Sequence, residues 1–166
     1  MGFLEYTIGD WMDKQARDFA DCDALVYPDR GIRLSYTQLN EVCRQTAKGF
    51  MRLGIKKGDH VAIWGTNYAE WVYTLFACAK IGAVLVTVNT NYRVYELEYL
   101  LRQSDAMTLL FTDGVKNTDY AQILNELIPD LADQAPGSLS CERVPVLKNL
   151  IHLPGKYATP APAGCF

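Results

Sequence analysis

The chain has 166 residues, 49% hydrophobic, 21% charged and 11% aromatic, which is the profile of one globular domain burying roughly 70% of its unfolded surface. Sixteen Lys and Arg against 19 Asp and Glu leave a net charge of −3, and no basic block is longer than Lys56-Lys57. Disorder, collagen, repeats and small disulfide scaffolds are excluded, and so is a dedicated nucleic-acid surface, whose phosphate contacts need clustered cations.

Thr7-x-x-Asp10 opens an amphipathic helix predicted over about 8–20. Ala24 to Tyr27, the turn Pro28-Asp29-Arg30-Gly31 and Ile32 to Leu34 read as a hairpin. Ser35-x-x-Gln38 is a capping box. The helix behind it carries Tyr36, Leu39, Val42, Cys43, Ala47, Phe50 and Met51 on one stripe and stops at Gly54. Lys57-Gly58-Asp59 turns the chain into a strand over Val61 to Trp64, and Asn67-x-x-Glu70 caps the next helix. Trp71 to Val88 has the length of a membrane span with only Lys80 charged. Gly82 divides it, however, into a helix and a β-branched run at 83–88 that reads as a buried parallel strand.

Beyond that strand the spacing predicts a helix over 94–103, a strand from Met107 to Phe111, and a helix from Thr118 to Ile128 with Tyr120, Ile123, Leu124 and Leu127 inward. Residues 130–142 read as loop and Pro145 to His152 as a last strand. Pro154, Gly155, Pro160 and Pro162 mark a linker. The expected fold class is α/β, a largely parallel sheet with helices on both faces and a small N-terminal β-hairpin. Residues 1–152 form a scaffold subdomain in this reading, and 153–166 a Pro/Gly-rich linker or truncation point.

A doubly wound sheet binds its ligand at the carboxyl ends of its strands. The segments there are Gly65-Thr66-Asn67, Asn89-Thr90-Asn91-Tyr92-Arg93 and Thr112-Asp113-Gly114. None is a dinucleotide fingerprint, a phosphate loop or a serine elbow. Asn67 is explained by its cap, and Asn89 and Asn91 by a turn leaving a strand. Asp113 lacks the acidic neighbours of a phosphorylated receiver aspartate. Arg93 and Arg102 are cations within reach of a phosphate-bearing ligand, and solvated surface arginines are the plainer reading. Asn89 and Arg93 are the ligand-proximal candidates; no catalytic residue or metal ligand is assigned. His60 and His152 open and close strands and read as structural. An odd count of five cysteines, none closely spaced, fits free thiols in a reducing cytoplasm, with Cys43 and Cys78 as buried small hydrophobes.

Five segments in order carry a resemblance. Leu34-Ser35-Tyr36-Thr37-Gln38-Leu39 resembles the first core motif of the adenylate-forming superfamily, and Gly54-Ile55-Lys56-Lys57-Gly58-Asp59 its next turn into a strand. Phe76 to Val84 resembles the second core motif, Val88 to Arg93 its continuation, and Glu96 to Leu101 with Ser104-Asp105-Ala106 completes the match. The Asn-Thr-Asn-Tyr-Arg stretch is similar to that of fatty acyl-CoA synthetases.

The resemblance implies the N-terminal segment of an acyl-CoA ligase, which activates a carboxylic acid with ATP and magnesium and passes it to coenzyme A. The family's phosphate loop, magnesium-holding segment, ribose-binding Asp and C-terminal Lys have no counterpart between Met1 and Phe166. The chain alone is therefore expected to be inactive and to bind no cofactor. ATP, magnesium and coenzyme A are expected of the full-length enzyme, the remainder of the polypeptide is the expected partner, and self-association through newly exposed apolar surface or an exposed last strand is expected of the fragment. A stand-alone, non-catalytic flavodoxin-like binding module is the alternative.

Overall fold

The computed structural model describes residues 5–154 and 161–166. Two compact units emerge, the first made of residues up to Gly58 with Ala69–Val84, the second of Asp59–Tyr68 with Leu85–Phe166.

The first unit opens with α1 (Ile8–Asp18), whose Thr7 hydroxyl accepts the Asp10 N–H at 3.1 Å in the expected capping box. β1 (Asp23–Tyr27) and β2 (Ile32–Ser35) pair antiparallel around a short 3-10 turn at Pro28–Arg30. Gly31 follows at φ 65°, a left-handed conformation that glycine adopts without steric cost. α2 (Tyr36–Arg52) is capped by Ser35, whose N–H donates to Gln38 Oε1 at 2.9 Å. It buries Leu39, Cys43, Ala47 and Phe50. Met51 departs from the expected stripe and is 62% exposed; at 100° per residue it lies about 40° beyond Ala47, past the edge of the arc those four occupy.

α3 (Ala69–Ile81) starts one residue later than an Asn67 cap would set, with Tyr68 preceding it. Its Glu70 receives the Arg30 guanidinium at 2.9 Å, an anchor between hairpin and helix. The core is Met12, Leu39 and Cys43, with Val72, Tyr73 and Phe76 half-buried against them. α1 and α3 approach backbone to backbone at Gly9, where a Cβ would stand 3.0 Å from the Ala79 carbonyl oxygen.

The second unit, with Val84 of the first at its start, holds a four-stranded, mostly parallel sheet of order β4 (Val84–Thr87), β3 (His60–Trp64), β5 (Ala106–Phe111) and β8 (Asn149–His152). β3 runs parallel to β5 with Trp64 beside Phe111, and β5 parallel to β8 with Phe111 beside His152. Val61, Ala62, Ile63 and Trp64 are all buried, as are Leu109, Leu110 and Phe111. Such continuous apolar runs are what strands covered on both faces require. α4 (Val94–Gln103) falls where the spacing predicts it and adds Val94, Leu97 and Leu101 to the core.

Three sequence expectations shift. The 83–88 run is an edge strand rather than a buried one, with Val84 45% exposed; apolar sequence alone does not say which strand ends the sheet. The helix expected from Thr118 begins at Tyr120, because Thr118–Asp119 (β7) pairs antiparallel with Gly114–Val115 (β6). Asp119 then caps α5 (Tyr120–Leu127), accepting the Gln122 N–H at 3.0 Å. The last strand covers only 149–152, since Val144 and Leu147 close turns around Pro145, which has no N–H for a ladder.

Gly155 and Pro160, two of the four linker residues, lie outside the described residues. Phe166 pairs with β8, donating its N–H to the Leu150 carbonyl at 2.9 Å and accepting the His152 N–H at 3.0 Å. This is the parallel bonding pattern, centred on Ile151.

Candidate functional site

All the carboxyl ends of the sheet belong to the second unit. β3 ends in Gly65, whose lack of a side chain lets Thr112 pack close; a Cβ there would stand 2.8 Å from Thr112 Cγ2. Thr112 follows β5 and bonds through its N–H to the Trp64 carbonyl at 3.1 Å. Its hydroxyl oxygen is buried without a partner among the described residues.

Asn89 accounts for its own placement. Its Oδ1 accepts the Asn91 N–H at 2.9 Å, a side-chain turn, and its carbonyl accepts the Trp64 indole N–H at 3.1 Å. Trp64, wholly buried, stacks on Tyr120 at 3.7 Å between ring centroids with planes 13° apart. Tyr120 donates its hydroxyl to the Thr90 carbonyl at 2.9 Å, and its N–H to the Asp113 carbonyl at 3.2 Å. It therefore joins the Asn89–Arg93 segment to the segment after β5. Burial, with Tyr68 as a smaller cause, pushes the Tyr120 phenol up to about 12, so it remains a hydrogen-bond donor at neutral pH.

Arg93 precedes α4 and donates its N–H to Glu96 Oε2 at 3.0 Å. Its side chain lines a groove of about 200 Å³ with Tyr95, Asn117, Asp119, Gln122 and Glu126. Arg102 lies in the last turn of α4, exposed, its guanidinium on the Arg143 carbonyl at 3.3 Å; it belongs to the surface. His60 opens β3 with its Nδ1 against the Ser104 carbonyl.

One pairing escaped the sequence because its members stand 39 positions apart. His152 Nε2 meets Asp113 Oδ1 at 2.7 Å. The imidazole side chain is only 3% exposed and lies against Phe111, 5.3 Å between ring centroids. A ring so enclosed is held rather than presented to a reactant, and the pair clamps the loop after β5 to the end of β8. Tyr120 was legible only as an inward residue; its part in fixing the Asn89–Arg93 segment was not. Cys43 and Cys78 are buried as expected, and burial pushes their thiols up to about 11 and about 12.

The edge thus offers a rigid aromatic and hydrogen-bonded wall with one exposed cation, Arg93, and one half-exposed carboxylate, Asp113. Among the described residues no three His, Cys, Asp or Glu side chains converge as a metal site would need.

Residues 12–158 match the model of a family described as AMP-binding enzyme. The chain is 56% identical over 153 residues to YngI of Bacillus subtilis (strain 168), a protein carrying an acyl-CoA synthetase name, covering 92% of this chain and 28% of that one. It is 38% identical over 145 residues to the mitochondrial medium-chain acyl-CoA ligase ACSF2 of Mus musculus, covering 87% and 24%. Among solved structures, the anthranilate CoA ligase AuaEII in complex with anthranoyl-AMP superposes with a TM-score of 0.69 at 25% identity, over 92% of this chain and 26% of that one. The chain spans about a quarter of the length of these curated relatives.

Proposed function

Since the chain belongs to the AMP-binding enzyme family, we propose that it is the amino-terminal part of an AMP-forming acyl-CoA ligase that activates a fatty acid as its adenylate and transfers it to coenzyme A. The observation that carries this reading is the 56% identity over 153 residues to a protein with an acyl-CoA synthetase name. The bacterial and mitochondrial relatives with acyl-CoA ligase names point to an acyl substrate.

The chemistry requires the triphosphate charge to be neutralised while the carboxylate attacks. In this reading the described residues take no part in that neutralisation. What they fit is scaffolding: a sheet edge whose loops are pinned by Trp64, Tyr120 and the Asp113–His152 pair. Asn89 to Arg93 is the segment nearest to ligand in this reading. The 166-residue chain is inactive by itself, and the rest of its polypeptide is its first partner. Its free cysteines suit a cytoplasmic setting, and no helix among the described residues is long and apolar enough to cross a membrane.

The test is a single-turnover assay of acid-dependent pyrophosphate release. The longer polypeptide should release pyrophosphate with fatty acids and the isolated chain should not; release by the isolated chain would overturn the scaffold reading. In the longer protein, Arg93→Ala should raise KM for the acid or for coenzyme A, and unchanged values for both would remove Arg93 from the site.

A further inference from the structure

We propose that the exposed end of α2 and the turn behind it dock on an anionic lipid bilayer. Between Glu41 and Asp59 the chain carries Arg44, Lys48, Arg52, Lys56 and Lys57 and no acid, in a protein whose net charge is −3. The cations are spread along the sequence, and the helix gathers them. At 3.6 residues per turn, Arg44, Lys48, Met51 and Arg52 share about 100° of the α2 surface. All four are exposed, and that arc is distinct from the one holding Leu39, Cys43, Ala47 and Phe50.

Two of the cations around this face have acidic neighbours. Arg44 lies 4.0 Å from Glu41, and Lys80 bonds Asp13 at 2.8 Å. Lys48, Arg52 and Lys57 carry the argument, since among the described residues no carboxylate lies within 4.0 Å of them. Next to them opens a shallow cavity of about 510 Å³. Met51, Ile55 and Ile81 give it apolar walls, Lys56, Lys57 and Lys80 line it as well, and no carboxylate does.

An exposed thioether beside an open apolar cup lined by lysines, with the arginines of the α2 arc next to it, is the layout of an interfacial surface. Lipid phosphates meet the cations and the Met51 side chain meets the acyl boundary. Nucleic acid fits less well, because no aromatic ring lines the cup for bases to stack on. An acidic protein would use the charges and leave the cup without a purpose. The inference stands apart from the ligase reading, because it rests only on charge and exposure in the first unit.

The experiment is co-sedimentation of the full chain with vesicles of phosphatidylcholine alone or with a third phosphatidylglycerol. Binding is expected only with the anionic lipid, and it should fall as salt shortens the reach of charge. Each cation near an anionic surface is worth about fivefold in partitioning, so Lys48→Gln with Arg52→Gln should weaken binding roughly 25-fold while circular dichroism stays unchanged. Met51→Ser should weaken it without altering the salt dependence. Equal binding to both vesicles, an unaffected double variant, or equally tight Met51-independent binding to poly-glutamate would each overturn the proposal.

Discussion

The two units are held by different means. In the second, wholly buried apolar side chains make a continuous core from Ala62 and Trp64 to Leu109, Phe111, Leu124 and Leu150. The first has a smaller apolar centre around Met12, Leu39 and Cys43, and adds to it a backbone contact at Gly9 and two partly buried ion pairs, Arg30–Glu70 and Lys80–Asp13. A parallel sheet covered on both faces can be built from apolar burial alone. Three helices beside a hairpin, with a smaller buried centre, depend more on a few specific contacts.

Three substitutions and one reagent distinguish the two units. The largest effect is expected from Trp64→Ala, which removes a wholly buried ring, its stack on Tyr120 and its bond to Asn89. A loss of about 3–5 kcal/mol is expected, read as amide exchange rising across residues 59–68 and 85–152. Equal loss of protection throughout α1 to α3 would mean the units unfold as one. Gly9→Ala comes next. Its methyl would press on the Ala79 and Lys80 backbone at 3.0–3.1 Å, and an overpacking cost of about 1–3 kcal/mol is expected in the first unit. A neutral result would show that α1 can shift freely.

Smaller still is the acid limb. Burial raises the Asp13 carboxyl, but the Lys80 ammonium and the Asn40 amide outweigh it and hold Asp13 below the ordinary carboxylate range. The stability this contributes is present above the unfolded value of about 3.9 and lost as pH falls through the folded one. Asp13→Asn should therefore be less stable than the parent at pH 7, and the gap should close below about pH 4. A gap constant with pH would remove Asp13 from the account.

Smallest is the thiol pattern, which costs no stability. With Ellman's reagent, exposed Cys22 should react first, while Cys43 and Cys78 stay protonated and covered until the first unit opens. Cys165, pushed up to about 11 by burial, belongs to the second unit. Uniform release of all thiols would contradict the burial.

Local rules made much of the fold legible. The boxes at Thr7 and Ser35 satisfy helix-end amides within four residues, so the sequence carries the whole device. β3 and β5 announce themselves as unbroken apolar runs. Long-range features did not show. Val84-Leu85-Val86 is as apolar as β3, and nothing in it tells that β4 ends the sheet. Asp113 and His152 meet only because β5 and β8 lie side by side. The basic face of α2 is not a contiguous block in the sequence and forms only when the helix brings Arg44, Lys48 and Arg52 to one side. Asn89, a ligand candidate from its place after a strand, is occupied in its own turn, whereas Arg93 keeps an exposed cation at that edge.

The stacking of Trp64 on Tyr120 has a practical consequence. Trp11 and Trp71 belong to the first unit, Trp11 38% exposed and Trp71 half-buried, whereas Trp64 is sealed in the second. Its emission should lie to the blue of theirs and resist acrylamide, and its indole N–H sits on the carbonyl of Asn89. The molecule therefore carries its own optical gauge: anything that lifts the Asn89–Arg93 loop will be seen as a red shift from one tryptophan, with no label attached.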